Sequence, residues 1–272
     1  MFMNKLNLGI VFFWCIISCF IPLDNAKLWA VERVAVNFQP PEDRDKPEKG
    51  TISGGSRPVE NSCAPYSENS KDTLTALSPG QNLGLTMLKY PNLIVYIPSV
   101  KAQNAELSIF NAQMEGVYQT NLSISKYQGF VTLPLLNRIN RTSNTTSLQT
   151  ETRTIVLEKN KPYYWTLALI CNESDRTEDV VVGGWIEYAK PSQDLQQQLN
   201  MVNGIRKVSL LAKNGYWYDA LSELLEMRRK NPNDQNLAQI WQQLFKSVGL
   251  EKISKKPINE PRLVTTNKYV EK

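Results

Sequence analysis

Few residues in this 272-residue chain could do chemistry, because it contains no histidine. Ser-His-Asp and Cys-His nucleophile systems, histidine general bases and histidine-ligated zinc or haem are therefore excluded. Ser123 and Lys126 match the Ser-x-x-Lys pattern of serine β-lactamases, but the companion Ser-Asp-Asn and Lys-Thr-Gly motifs are missing. No Walker loop and no Gly-x-Gly-x-x-Gly pattern occurs. We therefore predict no catalytic residue, no cofactor and no metal site.

Several carboxylates lie close together in one predicted turn, which contains Asp175, Arg176, Glu178 and Asp179. Glycoside hydrolysis needs only two carboxylates at a suitable separation, so catalysis is one interpretation of this cluster. A hydrophilic hairpin loop is the simpler one, because Asp and Asn favour turns for backbone reasons. Exposed loops on rigid scaffolds often carry function. We predict a candidate interaction loop here, with a partner contact preferred over a weak cation site and over catalysis.

The first 30 residues resemble an export signal. Lys5 is the only charge before Asp24, and an apolar run from Leu6 to Leu23 lies between them. The run is just long enough to span a bilayer, so an uncleaved anchor is the alternative. Cys19 follows Ile16-Ile17-Ser18 in a lipobox-like pattern and is a candidate lipidation site, although the apolar run continues past it.

Two cysteines, Cys63 and Cys171, remain beyond this leader. Paired cysteines are common in exported proteins, so we predict a disulfide between them. Two inert buried thiols or an intermolecular bridge are the alternatives.

Beyond the predicted leader, the composition and the spacing of apolar residues divide the chain into segments. Residues 31–73 are rich in Pro, Gly and charge and indicate an extended or disordered linker. Residues 74–190 contain short apolar or alternating runs separated by Gly, Pro and Asn, which predict an antiparallel, immunoglobulin-like β-sandwich. The predicted strands are Leu83–Leu88, Leu93–Ile97, Leu107–Phe110, Val117–Leu122, Phe130–Leu133, Thr154–Leu157, Tyr163–Ile170 and Val180–Tyr188. An Asn-, Thr- and Ser-rich stretch, 137–150, is interpreted as a surface insertion.

A helical period begins after Pro191. A first apolar stripe runs from Leu195 to Ala212 and stops at Asn214-Gly215. A second helix begins near Trp217 and ends at Asn231-Pro232. Asn233 can cap a third helix, which Gly249 stops. The sequence thus predicts a three-helix module over 191–250, partly like one tetratricopeptide unit, and a flexible tail over 251–272.

Several motifs in this order resemble the cyanobacterial domain-of-unknown-function family numbered 928. The motifs are Gly54-Gly55-Ser56-Arg57, Cys63, Leu74-Thr75-Ala76-Leu77, Tyr163-Tyr164-Trp165, Cys171 with Asp175-Arg176, Gly184-Trp185-Ile186 and Asn214-Gly215-Tyr216-Trp217-Tyr218-Asp219-Ala220-Leu221. The resemblance spans about residues 50–250. It implies an exported protein and assigns no activity.

A net charge of +5, from 31 basic and 26 acidic residues, is spread thinly and gives no nucleic-acid footprint. We expect an extracytoplasmic, non-enzymatic interaction or assembly module whose partner is an unknown envelope protein. Membrane contact is expected only through the N-terminal segment, if it is uncleaved or lipidated. A glycan- or small-ligand-binding module using exposed aromatics is the alternative, and a carboxylate-dependent hydrolase is the third possibility.

Overall fold

The computed structural model describes residues 34–42, 44, 63, 73–125, 127–135 and 156–258. The predicted leader with Cys19, the 137–150 insertion and the tail from residue 259 lie outside these residues. Within the described part of the chain, no helix is long and apolar enough to cross a membrane.

The described residues form eight strands in two sheets. The strands are β1 (Thr75–Ala76), β2 (Leu83–Thr86), β3 (Asn92–Ile97), β4 (Asn104–Phe110), β5 (Gly116–Ser123), β6 (Gly129–Pro134), β7 (Pro162–Leu169) and β8 (Val180–Tyr188). One sheet has the order β1-β3-β6, and the other has the order β2-β8-β7-β4-β5. The two sheets make the sandwich-like, β-rich part that the sequence predicts.

The expectation of purely antiparallel pairing is wrong at one edge. Strand β2 runs parallel to β8, with Leu83 opposite Trp185 and Thr86 opposite Tyr188. A parallel pair needs a long connection, and here five strands of the sandwich, β3 to β7, separate β2 from β8. The pairing is therefore non-local, and short-range patterns cannot reveal it.

Two strand assignments also differ from the prediction. Val156 and Leu157, the described end of the predicted strand Thr154–Leu157, lie outside any strand. Leu157 instead uses its backbone N–H to bond the carbonyl of Lys89. Strand β1 was not predicted, because two residues carry no periodic signal.

The helical part contains five helices rather than three. They are α1 (Gln193–Met201), α2 (Gly204–Lys213), α3 (Trp217–Lys230), α4 (Gln235–Lys246) and α5 (Glu251–Ser254). The predicted first helix is interrupted at Val202, which is extended, and restarts at Gly204 with a φ of 54°. That conformation suits glycine and redirects the chain without breaking the apolar stripe.

Two helix ends differ as well. Asp234, rather than Asn233, caps α4, because its carboxylate accepts bonds from the backbone N–H groups of Asn236 and Leu237. The predicted tail begins with α5, whose Ile253 is buried.

The described start of the predicted linker lies against the helices. Val36 and Phe38 are buried, and Phe38 contacts the ring of Trp217 edge-on at 5.4 Å. The backbone N–H of Gln39 donates to Ala212, and Arg44 pairs with the buried carboxylate of Glu187 on β8. The described residues between 34 and 44 thus tie the helices to the sheet.

Strands and helices share one hydrophobic core. Its largest fully buried side chains include Trp165 from β7, Trp217 from α3 and Trp241 from α4. The ring of Phe130, on β6, packs edge-on against Trp241 at 5.3 Å.

Candidate functional site at the strand–helix junction

The motif from Asn214 to Leu221 joins the helices to the sandwich. Gly215 has a φ of 79°, and a Cβ there would lie 3.1 Å from Pro41. Its carbonyl accepts the backbone N–H of Leu85 at 2.8 Å, so the turn before α3 covers the outer edge of β2. Glycine is needed here for both the backbone conformation and the close approach.

The two aromatic residues that follow anchor α3 to the strands. Trp217 donates its indole N–H to the carbonyl of Leu77 at 2.7 Å. The hydroxyl of Tyr218 accepts the indole N–H of Trp165 at 2.8 Å and donates to the carbonyl of Trp185 at 3.0 Å. Complete burial raises the pKa of Tyr218, so this phenol stays protonated and keeps both bonds.

Two glycines of the strands make room for this anchor. A Cβ on Gly84 would lie 2.7 Å from the Tyr218 ring, and one on Gly184 would lie 2.3 Å from the Cβ of Ser78. Neither approach tolerates a side chain without movement. Close packing therefore explains why positions 84 and 184 are glycines.

Asp219 follows the two aromatic anchors in the motif. Its carboxylate accepts the backbone N–H of Met87 at 2.9 Å, just beyond the end of β2. Burial raises the pKa of this carboxyl from 3.8 to about 6, although the bonds from Met87 and Thr86 oppose the change. Asp219 also faces a groove.

This groove has a volume of about 440 Å³ and lies between α3, α2 and the turn after β2. Its α3 wall is a stripe of residues at spacings of three, four, seven and eleven, which face one side of a helix. They are Asp219, Ser222, Glu223, Glu226 and Lys230.

The opposite wall is more apolar. It includes Met87, Leu88 and Pro91 from the β2–β3 connection and Leu211 from α2. Lys207 of α2 forms an ion pair with Glu223 across the groove floor at 2.9 Å. The groove thus combines an apolar side with a charged helix face.

A match to a known protein family includes this junction and most of the sandwich. The model of the family described as Domain of Unknown Function (DUF928) matches residues 52–258. The chain belongs to the DUF928 family. No curated protein and no solved structure matches it.

The predicted interaction loop of this DUF928 protein is largely bonded to itself. Asp175 caps a short 3₁₀ turn, Arg176–Glu178, by accepting from the backbone and hydroxyl of Thr177, which lowers the pKa of its carboxyl. Arg176 pairs with Asp179 and, at 3.4 Å, with Glu106 on β4.

Asp179 is buried, whereas Asp175 and Arg176 are exposed and Glu178 is half-buried. The four side chains of the predicted loop therefore differ in their access to solvent. Asp175, Arg176 and Asp179 all take part in bonds that hold the loop.

The structure joins Cys63 and Cys171 by a disulfide. The carbonyl of Cys63 accepts the backbone N–H of Lys101, and the backbone N–H of Cys171 donates to Asp179 at 3.1 Å. The bridge and the loop thus hold the same corner of the five-stranded sheet.

The remaining candidates are the Ser-x-x-Lys match, a metal site and the strand tryptophans. Ser123 ends β5, while Lys126 lies outside the described residues. No group of three or more acidic or cysteine side chains among the described residues is placed to hold a metal ion. Trp165 and Trp185 are buried, and no aromatic side chain of the described residues is exposed.

Sequence reasoning missed the groove. Its signal was the polar stripe of α3, which lies on the side of the helix away from Leu221, Leu224 and Leu225. A polar helix face is ordinarily just solvated, so only the neighbouring α2 and the β2–β3 connection make it a concave surface.

Proposed function

We propose that this DUF928 protein is an exported, non-enzymatic binding module that holds a partner of the cell envelope in the groove along α3. The groove is the observation that carries the proposal. Its walls come from both the strands and the helices, and the anchors at Trp217 and Tyr218 hold those walls together. A concave surface on a rigid junction suits recognition.

The groove carboxylates favour binding over hydrolysis. Asp219 is engaged by the backbone of Met87, Glu223 by Lys207 and Glu226 by Arg229 at 3.0 Å. A carboxylate hydrolase needs one acid and one base free to reach a substrate. Here each carboxylate already has a protein partner, on a neighbouring element for Asp219 and Glu223 and on α3 itself for Glu226.

Export is part of the proposal. It is supported by the leader-like residues 1–30 and by the Cys63–Cys171 bridge, since disulfides persist in oxidising compartments. The mature protein is then periplasmic, secreted or tethered to the envelope, with tethering through an uncleaved leader or a lipidated Cys19.

We also propose an immunoglobulin-like form for the sandwich. The order β1-β3-β6 corresponds to strands A, B and E of that fold, and β2-β8-β7-β4-β5 corresponds to A′, G, F, C and C′. Such sandwiches serve as scaffolds for binding loops in many unrelated proteins. A helical module added after the last strand suits an adaptor.

A small-ligand site is the alternative. A volume of about 440 Å³ lies within the range of small-molecule pockets. The same groove would then take a compact ligand in place of a protein segment.

The test is site-specific photo-cross-linking in the native envelope. A photoreactive residue at Ser222, in the groove, is compared with one at Gln242, exposed on α4 and outside the groove. We expect a discrete adduct at position 222 alone, and its loss when Leu88→Asp adds a charge to the groove wall. Equal products at both positions, or none, would reject the groove as the docking site. Mass spectrometry of the mature N-terminus in the same sample tests export and lipidation.

A further inference from the structure

The α3 wall of the groove runs from Asp219 to Lys230, eleven residues apart on the helix. At a rise of about 1.5 Å per residue, these positions are about 16 Å apart. An extended chain covers this length with about five residues, at about 3.3 Å each.

Charge is ordered along this length. Asp219, Glu223 and Glu226 occupy the first two-thirds of the stripe, and Lys230 ends it. The Glu226 side chain is 54% exposed despite its ion pair with Arg229. A carboxylate can accept several hydrogen bonds, so this oxygen pair can receive a further donor from a ligand.

Lys230 differs from the other basic residue of the groove. Lys207 is paired with Glu223, whereas none of the ion pairs among the described residues involves Lys230. Lys230 is exposed at the groove's end, where its ammonium group can meet a carboxylate.

The facing wall supplies apolar contact. Leu88, at 51% exposure, supplies most of this contact, because Pro91 and Leu211 line the same groove but are buried. Side chains of an extended segment alternate in direction, so one set can meet this wall while the other meets α3.

We propose that the occupant is an extended segment of a partner protein, about five residues long, with a basic side chain facing Glu223 and Glu226 and a carboxylate facing Lys230. Charge complementarity and length select this partner. The inference rests on the proposed function, because it names the chemistry of the partner held in the same groove.

Binding of synthetic peptides tests it. The probes are fluorescein-labelled five-residue peptides with Lys at one end, Asp at the other and Leu and Ser between, made in both sequence directions. A matched pair replaces Lys by Glu. We expect one direction of the Lys–Asp peptide to bind, and the Glu peptides to bind at least about fivefold more weakly. Fluorescence anisotropy at low and high salt gives the affinities, which should fall as salt rises.

Variants of the full protein locate the contact. Glu226→Lys should weaken the Lys–Asp peptide about three- to tenfold, and Lys230→Glu should act similarly through the other end. Glu251→Lys makes the same charge change on exposed α5, outside the groove, and should leave binding unchanged. Far-UV circular dichroism shows that each variant is folded.

Two outcomes would overturn the inference. One is equal binding of all peptides, and the other is no binding up to about 1 mM, the weakest affinity of interest. Either result, together with a discrete adduct at position 222, would leave the groove as a docking site and reject only the peptide chemistry. Absence of that adduct would reject the proposed function itself.

Discussion

Trp165 of β7 donates its indole N–H to the hydroxyl oxygen of Tyr218 of α3 at 2.8 Å, inside the shared core. Both side chains are buried, and the same hydroxyl donates to the backbone of Trp185. The bond therefore joins the centre of the five-stranded sheet to the first turn of the central helix. It makes the sandwich and the helices mutually dependent for stability.

Tyr218→Phe should lower the free energy of unfolding by about 1–3 kcal/mol. The substitution leaves the buried indole N–H of Trp165 without its acceptor and removes the bond to the carbonyl of Trp185. Urea unfolding followed by tryptophan fluorescence measures the change. Tyr90→Phe, at a half-buried turn position, is the matched control and should be nearly neutral. Equal values for both variants would contradict the anchoring role of the Tyr218 hydroxyl.

Gly184→Ala should lower the free energy of unfolding by about 1–3 kcal/mol, because the new methyl group would overlap the Cβ of Ser78. Gly116→Ala is the control, since its nearest neighbour would lie at 3.9 Å. Thermal or urea unfolding gives both values.

A second substitution tests the stated cause. Ser78→Gly removes the overlapping atom, so the Gly184→Ala change should cost less in that background. We expect a favourable coupling of at least about 1 kcal/mol in a double-mutant cycle. Simple additivity would show that the overlap is relieved elsewhere.

Asp219 should make stability fall as pH rises from about 4 to 6. Burial raises its pKa from 3.8 to about 6, so the folded state keeps a proton that the unfolded state has already released. This difference between the pKa values of the folded and unfolded states corresponds to about 3 kcal/mol in the free energy of unfolding. Asp219→Asn cannot titrate and should lack this component.

Urea unfolding of the native protein and of Asp219→Asn at several pH values measures the effect. The native protein should lose stability relative to the variant between pH 4 and 6, with little further change above. A difference between the two proteins that does not vary with pH would mean that the Asp219 carboxyl titrates normally.

Breaking the Cys63–Cys171 bridge should destabilise the protein by up to about 4–5 kcal/mol. The bridge spans 108 residues, and closing so long a loop restricts the unfolded chain strongly. The double variant Cys63→Ser and Cys171→Ser is compared with the oxidised protein by thermal unfolding. A reductant should lower the midpoint of the oxidised protein and leave that of the variant unchanged.

Arg176→Ala should destabilise the predicted interaction loop more than Asp175→Ala does. Arg176 neutralises the buried carboxylate of Asp179, whereas Asp175 caps an exposed turn. We expect a loss of about 1–2 kcal/mol for Arg176→Ala, reduced from a fully buried pair because Arg176 is partly exposed. Hydrogen exchange at the Cys171 amide, which bonds Asp179, reports the local effect. A larger effect from Asp175→Ala would contradict this assignment.

The sequence by itself determined the local elements. Short apolar or alternating runs predicted β2 to β8, because side chains of a half-buried strand alternate between two faces and those of a buried strand are apolar on both. Asn214-Gly215 and Asn231-Pro232 marked the ends of α2 and α3, since a glycine or a proline changes the backbone directly. The pairing of Cys63 with Cys171 was also predicted, because only two cysteines remain beyond the predicted leader.

Tertiary structure alone decided the contacts between distant parts of the chain. The parallel β2–β8 pair, the reach of Tyr218 to Trp165 and the burial of Phe38 each join residues more than 50 positions apart, whose association leaves no local periodicity. The groove follows the same rule. The stripe from Asp219 to Lys230 is polar in sequence, and it becomes a concave surface only because Leu88 and Leu211 are packed beside it by the anchored core.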